Sequence, residues 1–116
     1  VDAFSSAAVD GCDEAAVAEF VASMGDDPID LLVNNAGISH AALASKTTGP
    51  EAETVFRTNL YQAVHFVSHV LPGMMRRRSG NIIMISSLAA GNVRAGNCLY
   101  GASKAALERY ALGVAQ

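Results

Sequence analysis

The stretch Cys98–Gly113 places a tyrosine and a lysine four residues apart in an alanine-rich helical pattern, at Tyr100 and Lys104. Side chains at this spacing lie on one face of a helix, about one turn apart. A phenol is a poor base at neutral pH because it ionises near pH ~10. An ammonium roughly 5 Å away favours the phenolate by ~3 kcal/mol at an effective dielectric of about 20. The pair therefore predicts a tyrosine whose pKa is lowered by the lysine and which transfers a proton near neutral pH.

A serine follows the second of two short apolar runs. The sequence GNIIMISS predicts a buried strand from Asn81 to Ser86, and Ser87 closes it. A hydroxyl there can hydrogen-bond a carbonyl or alkoxide oxygen that is held against the phenol. Tyr-x-x-x-Lys alone occurs by chance in many helices, and a solvent-facing pair is then the ordinary explanation.

The order of the predicted elements indicates an α/β fold. These elements are a helix from about Asp13 to Met24, a strand in Ile29–Asn35, a helix opened by Pro50 with a break near Asn59, a strand at Asn81–Ser86 and a helix capped by Asn97. Strands joined by long helical connections predict a parallel sheet of the doubly wound type, with strands buried on both faces. Ligands of such sheets bind beyond the carboxyl ends of the strands, which selects Asn34–Gly37 and Ser86–Ser87.

Composition and charge exclude several functional classes. The chain has 116 residues, of which 51% are hydrophobic and 16% charged, enough for the core of one domain. A net charge of −3 offers no footprint for nucleic acid. Two distant cysteines without metal spacing fit a reducing compartment. With no recognisable signal peptide or membrane span, we expect a cytoplasmic protein without a membrane partner.

Other polar residues are given plainer interpretations. His65 and His69 have the i, i+4 spacing of a ligand pair, but no glutamate completes a His-Glu-x-x-His pattern, so we predict no metal site. His40 is interpreted as a solvated loop residue and Cys98 as a packed small residue, while a substrate-facing histidine and a reactive thiol remain the alternatives. Asn34 is interpreted as a structural link between strands.

The sequence resembles the short-chain dehydrogenase/reductase family, whose motifs occur here in the family's order. They are VD at Val9–Asp10, LVNNAG at Leu32–Gly37, TNL at Thr58–Leu60, ISS at Ile85–Ser87 and YGASK at Tyr100–Lys104. The serine precedes the tyrosine by thirteen residues, as the family pattern expects. The resemblance covers nearly the whole chain.

This resemblance implies an oxidoreductase that uses NAD or NADP to transfer hydride between nicotinamide and a secondary alcohol or ketone. Tyr100 would be the acid/base and Ser87 would position the substrate oxygen. Lys104 would lower the pKa of Tyr100 and bind the nicotinamide ribose. Asn59 would hold a water that links Lys104 to solvent. The cofactor would be lined by Asp10 and Gly11 at the adenine, and by Asn35, Ala36, Gly37, Tyr100 and Lys104.

Comparison with the family pattern also shows differences. Residues 1–116 would form the middle portion of a Rossmann-like NAD(P)-binding domain, because the family's first βα units with their Thr-Gly-x-x-x-Gly-x-Gly turn, and its C-terminal strand and lid, are missing. We expect the flanking reading frame to supply them and the chain alone to be inactive. Met84 stands where many members have asparagine. Cys12 stands where a Ser or Thr helix cap is usual, which predicts weaker capping.

The resemblance further implies a homodimer or homotetramer for the complete enzyme, paired through the helices at Pro50–Met75 and Asn97–Gln116. Two other functions remain open. One is a catalytically silent truncated domain or pseudo-enzyme that acts only through association. The other is an epimerase or dehydratase of the extended branch, which shares Tyr-x-x-x-Lys. The sequence NNAG together with the serine spacing favours the dehydrogenase branch.

Overall fold

Helices alternate with two short strands in the computed structural model, which describes residues 5–116. In chain order the elements are α1 (Glu14–Ser23), β1 (Leu31–Asn34), α2 (Gly49–Phe56), a π-helical turn (Arg57–Tyr61), α3 (Gln62–Arg77), β2 (Asn81–Met84) and α4 (Cys98–Val114). Short 3-10 turns at Ala44–Lys46 and Leu88–Ala90 lie in the connections. The predicted order of helices and strands is confirmed, and the predicted break near Asn59 is the π-helical turn.

The two strands pair in parallel. Leu31 lies opposite Asn81, and Asn34 lies opposite Met84. Parallel neighbours require a long crossover, which α2 and α3 provide here. Both strands therefore end at the same edge of an incomplete α/β sheet, as predicted, and the residues that follow them emerge side by side.

Only one face of this strand pair is covered within residues 5–116. α3 packs against β1 and α4 packs against β2, which leaves Leu32 and Met84 half-buried. On the opposite face Leu31 is 52% exposed, Val33 48% and Ile83 44%. The prediction of strands buried on both faces is therefore wrong for the described residues, because alternate side chains of a strand point to opposite faces and the helices cover one of them.

The core lies between the helices and the covered face of the sheet. Its buried apolar side chains are Val17, Val55, Ala63, Val67, Val70, Met74 and Leu107. Four of these lie on α3 at intervals of three and four residues, the spacing of one helix face. α1 packs on α3, and α2 packs on α4. Among the described residues, 5–116, no helix has the length and apolar composition needed to cross a membrane.

The start of α1 corrects one expectation from the sequence. Asp13 is the N-cap, and its side chain accepts a hydrogen bond from the Ala16 N–H at 3.2 Å. Cys12 precedes the cap, and its N–H donates to Asp10 Oδ1 at 3.0 Å. The predicted weakening of the cap by Cys12 is therefore wrong, since the carboxylate at position 13 satisfies the helix instead.

The other helix ends follow their local sequence. Thr48 and Glu51 form a reciprocal capping box at the start of α2. Asn97 occupies the N-cap position of α4, as predicted, although its side chain makes no capping hydrogen bond. α3 ends at Arg77, and Arg78 adopts the left-handed conformation with φ 55°. The arginines thus lie at a helix C-terminus, where the helix dipole favours cations.

Candidate active site

Gly37 marks the point where the turn after β1 meets α4 and the π-helical turn. A Cβ built on Gly37 would lie 3.2 Å from Asn59 Oδ1 and 3.3 Å from Lys104 Nζ. A side chain at this position would therefore press on both polar groups, whereas glycine lets the backbone approach them. Asn35, Ala36 and Gly37 are exposed. The structure thus places an open backbone turn directly beside two of the side chains that the sequence singled out.

Asn59 lies in the π-helical turn and is 2% exposed. Its Oδ1 accepts from the Ile38 N–H at 2.7 Å, and its Nδ2 donates to the Ile38 carbonyl at 2.9 Å and to Ser103 Oγ at 3.0 Å. Both amide hydrogens are therefore used. The side chain fastens the turn after β1 to α4, and a water at Asn59 would be held by the remaining lone pair of Oδ1 or by the main-chain carbonyl.

Lys104 lies on α4 and is 4% exposed. Its ammonium donates to the Ile85 carbonyl at 3.0 Å, just beyond β2. The same Nζ stands 5.9 Å from the centroid of the Tyr100 ring, over its face. A buried ammonium needs hydrogen-bond partners, and one of its three donors is used by Ile85. The predicted tyrosine and lysine are therefore neighbours at the carboxyl edge of the sheet.

Ser87 is the N-cap of the 3-10 turn Leu88–Ala90, and its Oγ accepts a hydrogen bond from the Ala89 N–H at 3.2 Å. This turn packs closely on α4. A Cβ on Gly101 would lie 2.8 Å from the Ala89 carbonyl oxygen, so only glycine permits this approach. The contact fixes the position of Ser87 relative to Tyr100, which is adjacent to Gly101.

Asp10 and Gly11 lie at a turn that contacts α3. Gly11 is buried and Asp10 is exposed. The Gly11 carbonyl accepts a hydrogen bond from His65 Nδ1 at 2.8 Å. A Cβ on Gly11 would collide with Gln62 Oε1, because the Gln62 side chain fills that space. Two side chains of α3 therefore hold this turn.

A small cavity lies beside the turn after β1. It has a volume of ≈ 100 Å³ and is lined in part by Asn35, Ala36, Asn59 and Gln62. Gln62 thus reaches the cavity beside the β1 turn and also contacts Gly11. The residues proposed to line a dinucleotide form two clusters, one around Lys104 and one around Gly11.

Comparison with known proteins identifies the family. The sequence model of the short chain dehydrogenase family matches residues 3–116. The chain belongs to the short-chain dehydrogenase family. Among its relatives, retinol dehydrogenase 8 from Homo sapiens is 38% identical over 104 residues, which cover 90% of this chain and 33% of the relative. The NADP-dependent 3-hydroxy acid dehydrogenase YdfG from Escherichia coli is 38% identical over 111 residues, covering 93% of this chain and 45% of the relative.

The fold agrees with this membership of the short-chain dehydrogenase family. A solved structure of serine dehydrogenase, in a closed form complexed with NADP+, superposes with a TM-score of 0.88 at 38% identity and covers 93% of this chain and 45% of its own. The comparisons support NAD or NADP as the cofactor. The chain spans about a third to a half of the length of these curated relatives.

Three residues that the sequence analysis did not select contact residues of the candidate site. Gln62 and His65 hold the Gly11 turn, and Ser103 bonds Asn59. Ser103 directly precedes Lys104, and Gln62 follows Asn59 by three residues, which puts it on the same helix face. These spacings are weak signals, because many polar residues share a face with a motif residue without contacting it.

The two histidines of α3 each lie close to a polar group of the protein. His65 contacts Gly11, and His69 Nε2 lies 3.4 Å from Glu14 Oε1 on α1. Within residues 5–116 no group of three or more His, Cys, Asp or Glu side chains could hold a metal. Asn34 Nδ2 donates to Met84 Sδ at 3.2 Å. This contact links β1 to β2 and matches the structural interpretation of Asn34.

Two interpretations from the sequence are corrected. His40 is not a solvated loop residue: its side chain is 15% exposed, and its Nε2 lies 3.2 Å from Glu51 Oε2. The hydrogen bond with His40, together with that from the Thr48 N–H, holds the pKa of Glu51 below its ordinary value. Cys98 is exposed rather than packed: it is the first residue of α4, and its thiol donates to the Ala95 carbonyl at 3.2 Å.

Proposed function

We propose that this chain is the middle portion, residues 1–116, of a Rossmann-like domain in an NAD(P)-dependent oxidoreductase. The enzyme transfers hydride between nicotinamide and a secondary alcohol or ketone. The observation that carries the proposal is the convergence of Gly37, Asn59 and Lys104 beside Tyr100 at the carboxyl edge of the parallel strands. Membership of the family, and relatives that are named dehydrogenases, support this reaction class.

The residues present fit an NAD(P) cofactor. Gly37 is exposed, and a Cβ there would crowd Asn59 Oδ1 and Lys104 Nζ, so the backbone of this open turn approaches both groups without a side chain of its own. Asp10 and Gly11 would border the adenine. Asn35, Ala36 and Gly37 would line the cofactor between its two ends, and Tyr100 and Lys104 would contact the nicotinamide ribose. A bound nicotinamide would accept the hydride in alcohol oxidation and donate it in ketone reduction.

Tyr100 is the proposed acid/base for the reaction. In alcohol oxidation its phenolate takes the proton from the substrate hydroxyl while hydride leaves the carbinol carbon, and a ketone forms. In reduction the phenol returns the proton to the oxygen. Ser87 donates a hydrogen bond to the same oxygen and stabilises the charge that develops there. Both side chains are half-buried, which limits competition from water.

Lys104 and Asn59 are proposed to support the proton transfer. The Lys104 ammonium, held by the Ile85 carbonyl, attracts the negative charge that develops on the phenol. Two of its three donors remain for the ribose and for a water. Asn59 would hold that water and connect Lys104 to solvent, which gives the proton a path out of the site.

The test is NAD(P)-dependent turnover of a panel of secondary alcohols and ketones by the complete polypeptide. Tyr100→Phe keeps the ring and its packing, so turnover should fall by the ~10²–10⁴-fold expected for a lost acid/base, with little change in cofactor affinity. Tyr61→Phe is the matched control, because Tyr61 is exposed and lies outside the site. If Tyr100→Phe keeps more than about a tenth of the wild-type turnover, the proposed role of Tyr100 is wrong.

We also propose that the complete enzyme is a cytoplasmic homodimer or homotetramer. One face of α4 carries the exposed Cys98, Ala102 and Leu112 together with the exposed Arg109, and its small side chains would let a second helix approach closely. Light scattering at micromolar concentration should report two or four chains per particle, and a monomer would contradict the proposal.

A further inference from the structure

The peptide group between Gly11 and Cys12 is held at both ends. Its carbonyl oxygen accepts a hydrogen bond from His65 Nδ1 at 2.8 Å. Its N–H donates to Asp10 Oδ1 at 3.0 Å. Because a peptide group is planar, two such bonds fix the orientation of the whole plane. A side chain of α3 thereby determines where the Asp10 carboxylate lies.

We propose that His65 is a positioning residue for the adenine end of the dinucleotide, acting through the Gly11–Cys12 peptide on Asp10. The inference rests on the proposed function, in which Asp10 borders the adenine. The exocyclic amine of adenine is a hydrogen-bond donor, and a carboxylate is its natural acceptor. Oδ1 of the exposed Asp10 is used by Cys12. Fixing Oδ1 leaves Oδ2 to accept from the base.

The hydrogen bond between His65 and the Gly11 carbonyl is shielded from water by burial. Gly11 is buried and His65 is half-buried, so water competes weakly for the bond. The Gln62 side chain fills the space beside Gly11, which prevents the turn from moving toward α3. If the His65 bond is lost, the peptide plane can rotate, and the Asp10 carboxylate then samples several orientations before it meets the adenine.

The neighbouring histidine provides an internal comparison. His69 lies one turn further along α3 and pairs with Glu14 in the first turn of α1. Both histidines tie the same region to α3, but only His65 bonds the Gly11 peptide. A role limited to packing α1 on α3 therefore predicts similar effects of the two residues on cofactor binding, whereas a positioning role predicts an effect of His65 alone.

The hydrogen bond itself has a spectroscopic signature. A carbonyl oxygen can only accept, so His65 Nδ1 must carry a proton in the folded protein. Nitrogen-15 NMR of the imidazole in the complete polypeptide should show a protonated Nδ1 for His65. An unprotonated Nδ1 would overturn the inference, and this measurement needs no variant.

The functional test compares the binding of a dinucleotide, NADH or NADPH, with the binding of reduced nicotinamide mononucleotide, which lacks adenine. His65→Leu removes the donor and keeps an apolar side chain of similar length. His65→Asn keeps an N–H donor on the atom attached to Cγ, where Nδ1 stands. We expect His65→Leu to raise the Kd of the dinucleotide about tenfold, and His65→Asn to raise it by less than about threefold. The Kd of the mononucleotide should not change.

A control variant at His69 and the pattern of affinities distinguish the positioning role of His65 from the proposed oxidoreductase function. His69→Leu should lower Tm without changing the ratio of the two affinities. If His65→Leu does not fold, His65→Phe gives the same comparison, since it also lacks a donor. Equal weakening of both nucleotides, or no weakening of either, would overturn the positioning role. Failure of the wild type to bind either dinucleotide would instead overturn the proposed function.

Discussion

Asn59 Nδ2 donates a hydrogen bond to Ser103 Oγ over 3.0 Å, which joins the π-helical turn to α4. Both residues are buried, with exposures of 2% and 0%. The Ser103 hydroxyl in turn donates a hydrogen bond to the Tyr100 carbonyl at 2.7 Å. One hydroxyl therefore links the turn that carries Asn59 to the residue proposed as the acid/base.

Replacing this hydroxyl should be costly. Ser103→Ala leaves a buried amide hydrogen of Asn59 without a partner, so we expect a loss of about 1–3 kcal/mol in the free energy of unfolding. Ser68→Ala is the matched control, because Ser68 makes the same type of bond to the His65 carbonyl but is exposed. Its loss should stay within about 0.5 kcal/mol. Urea denaturation of both variants makes the comparison, and equal losses would show that the Asn59 contact contributes nothing.

Gly11 and Gln62 should be strongly coupled. Since a Cβ at position 11 would meet Gln62 Oε1, Gly11→Ala should destabilise the wild type by about 1–3 kcal/mol. In a Gln62→Ala background the space is free, and the cost should fall by at least about 1 kcal/mol. Gly49→Ala serves as the control, because nothing lies within 4 Å of a Cβ there. Additive effects in this double-mutant cycle would contradict the predicted collision.

Two hydrogen bonds, one between Asn59 and Ser103 and one between Gly11 and His65, show what could not be predicted from the sequence. Helical sequence patterns placed α1, α3 and α4, and the parallel-sheet topology placed the turn after β1 and Ser87 at one sheet edge. The bond between Asn59 and Ser103 joins positions 44 apart in the chain, and that between Gly11 and His65 joins positions 54 apart. Local patterns determine which face of an element is buried, but they do not determine which polar side chains meet across two elements.

The exposed sheet face shows a second limit. The apolar runs around Leu32 and Ile82 are typical of strands buried on both sides, and the sequence therefore predicted two covered faces. Burial of the second face depends on an element that packs there, and residues 5–116 provide helices on one face only. The hydrophobicity of a strand therefore predicts that its faces tend to be buried, but it does not identify the element that buries them.

Glu51 should make stability depend on pH in the acid range. Its pKa is lowered first by the hydrogen bond with His40 and then by the Thr48 N–H. A lowered folded-state pKa means that the contribution to stability is present above the ordinary value of 4.5 and is lost as pH falls through the folded-state pKa. The Tm difference between wild type and Glu51→Gln should therefore be largest above pH ~5 and shrink below pH ~4.

Thermal unfolding across this pH range tests the assignment. Glu19→Gln, an exposed substitution on α1, controls for the general effect of removing a carboxylate. A Tm difference for Glu51→Gln that stays constant between about pH 3 and pH 7 would show that neither the capping box nor the His40 contact depends on the Glu51 charge.

Gly101 should affect catalysis through packing alone. A Cβ there would lie 2.8 Å from the Ala89 carbonyl oxygen, so Gly101→Ala must displace the backbone that carries Ser87 relative to Tyr100. Small displacements of reacting groups can cost about 10²-fold in rate, and we expect a fall in kcat between ~10- and ~10²-fold. Gly91→Ala lies near the same turn in open space and should leave kcat unchanged. Wild-type turnover by Gly101→Ala would mean that the turn adjusts without moving Ser87.

Lys104 and Ser87 should separate cofactor binding from turnover. Lys104→Met keeps the buried stem but removes the ammonium that bonds Ile85 and stands over the Tyr100 ring. If the lysine both contacts the ribose and attracts the charge on the phenol, this change lowers kcat and raises the Kd of NAD(P)H, each by at least about tenfold. Ser87→Ala removes only the hydrogen bond to the substrate oxygen, so it should lower kcat by ~10- to ~10³-fold and leave the cofactor Kd unchanged.

Lys46→Met, which replaces an exposed lysine in a connection, is the control for loss of charge. A Lys104→Met enzyme that binds NAD(P)H like the wild type would remove the ribose contact from the proposal, because a purely electrostatic partner of Tyr100 changes the rate without changing cofactor affinity.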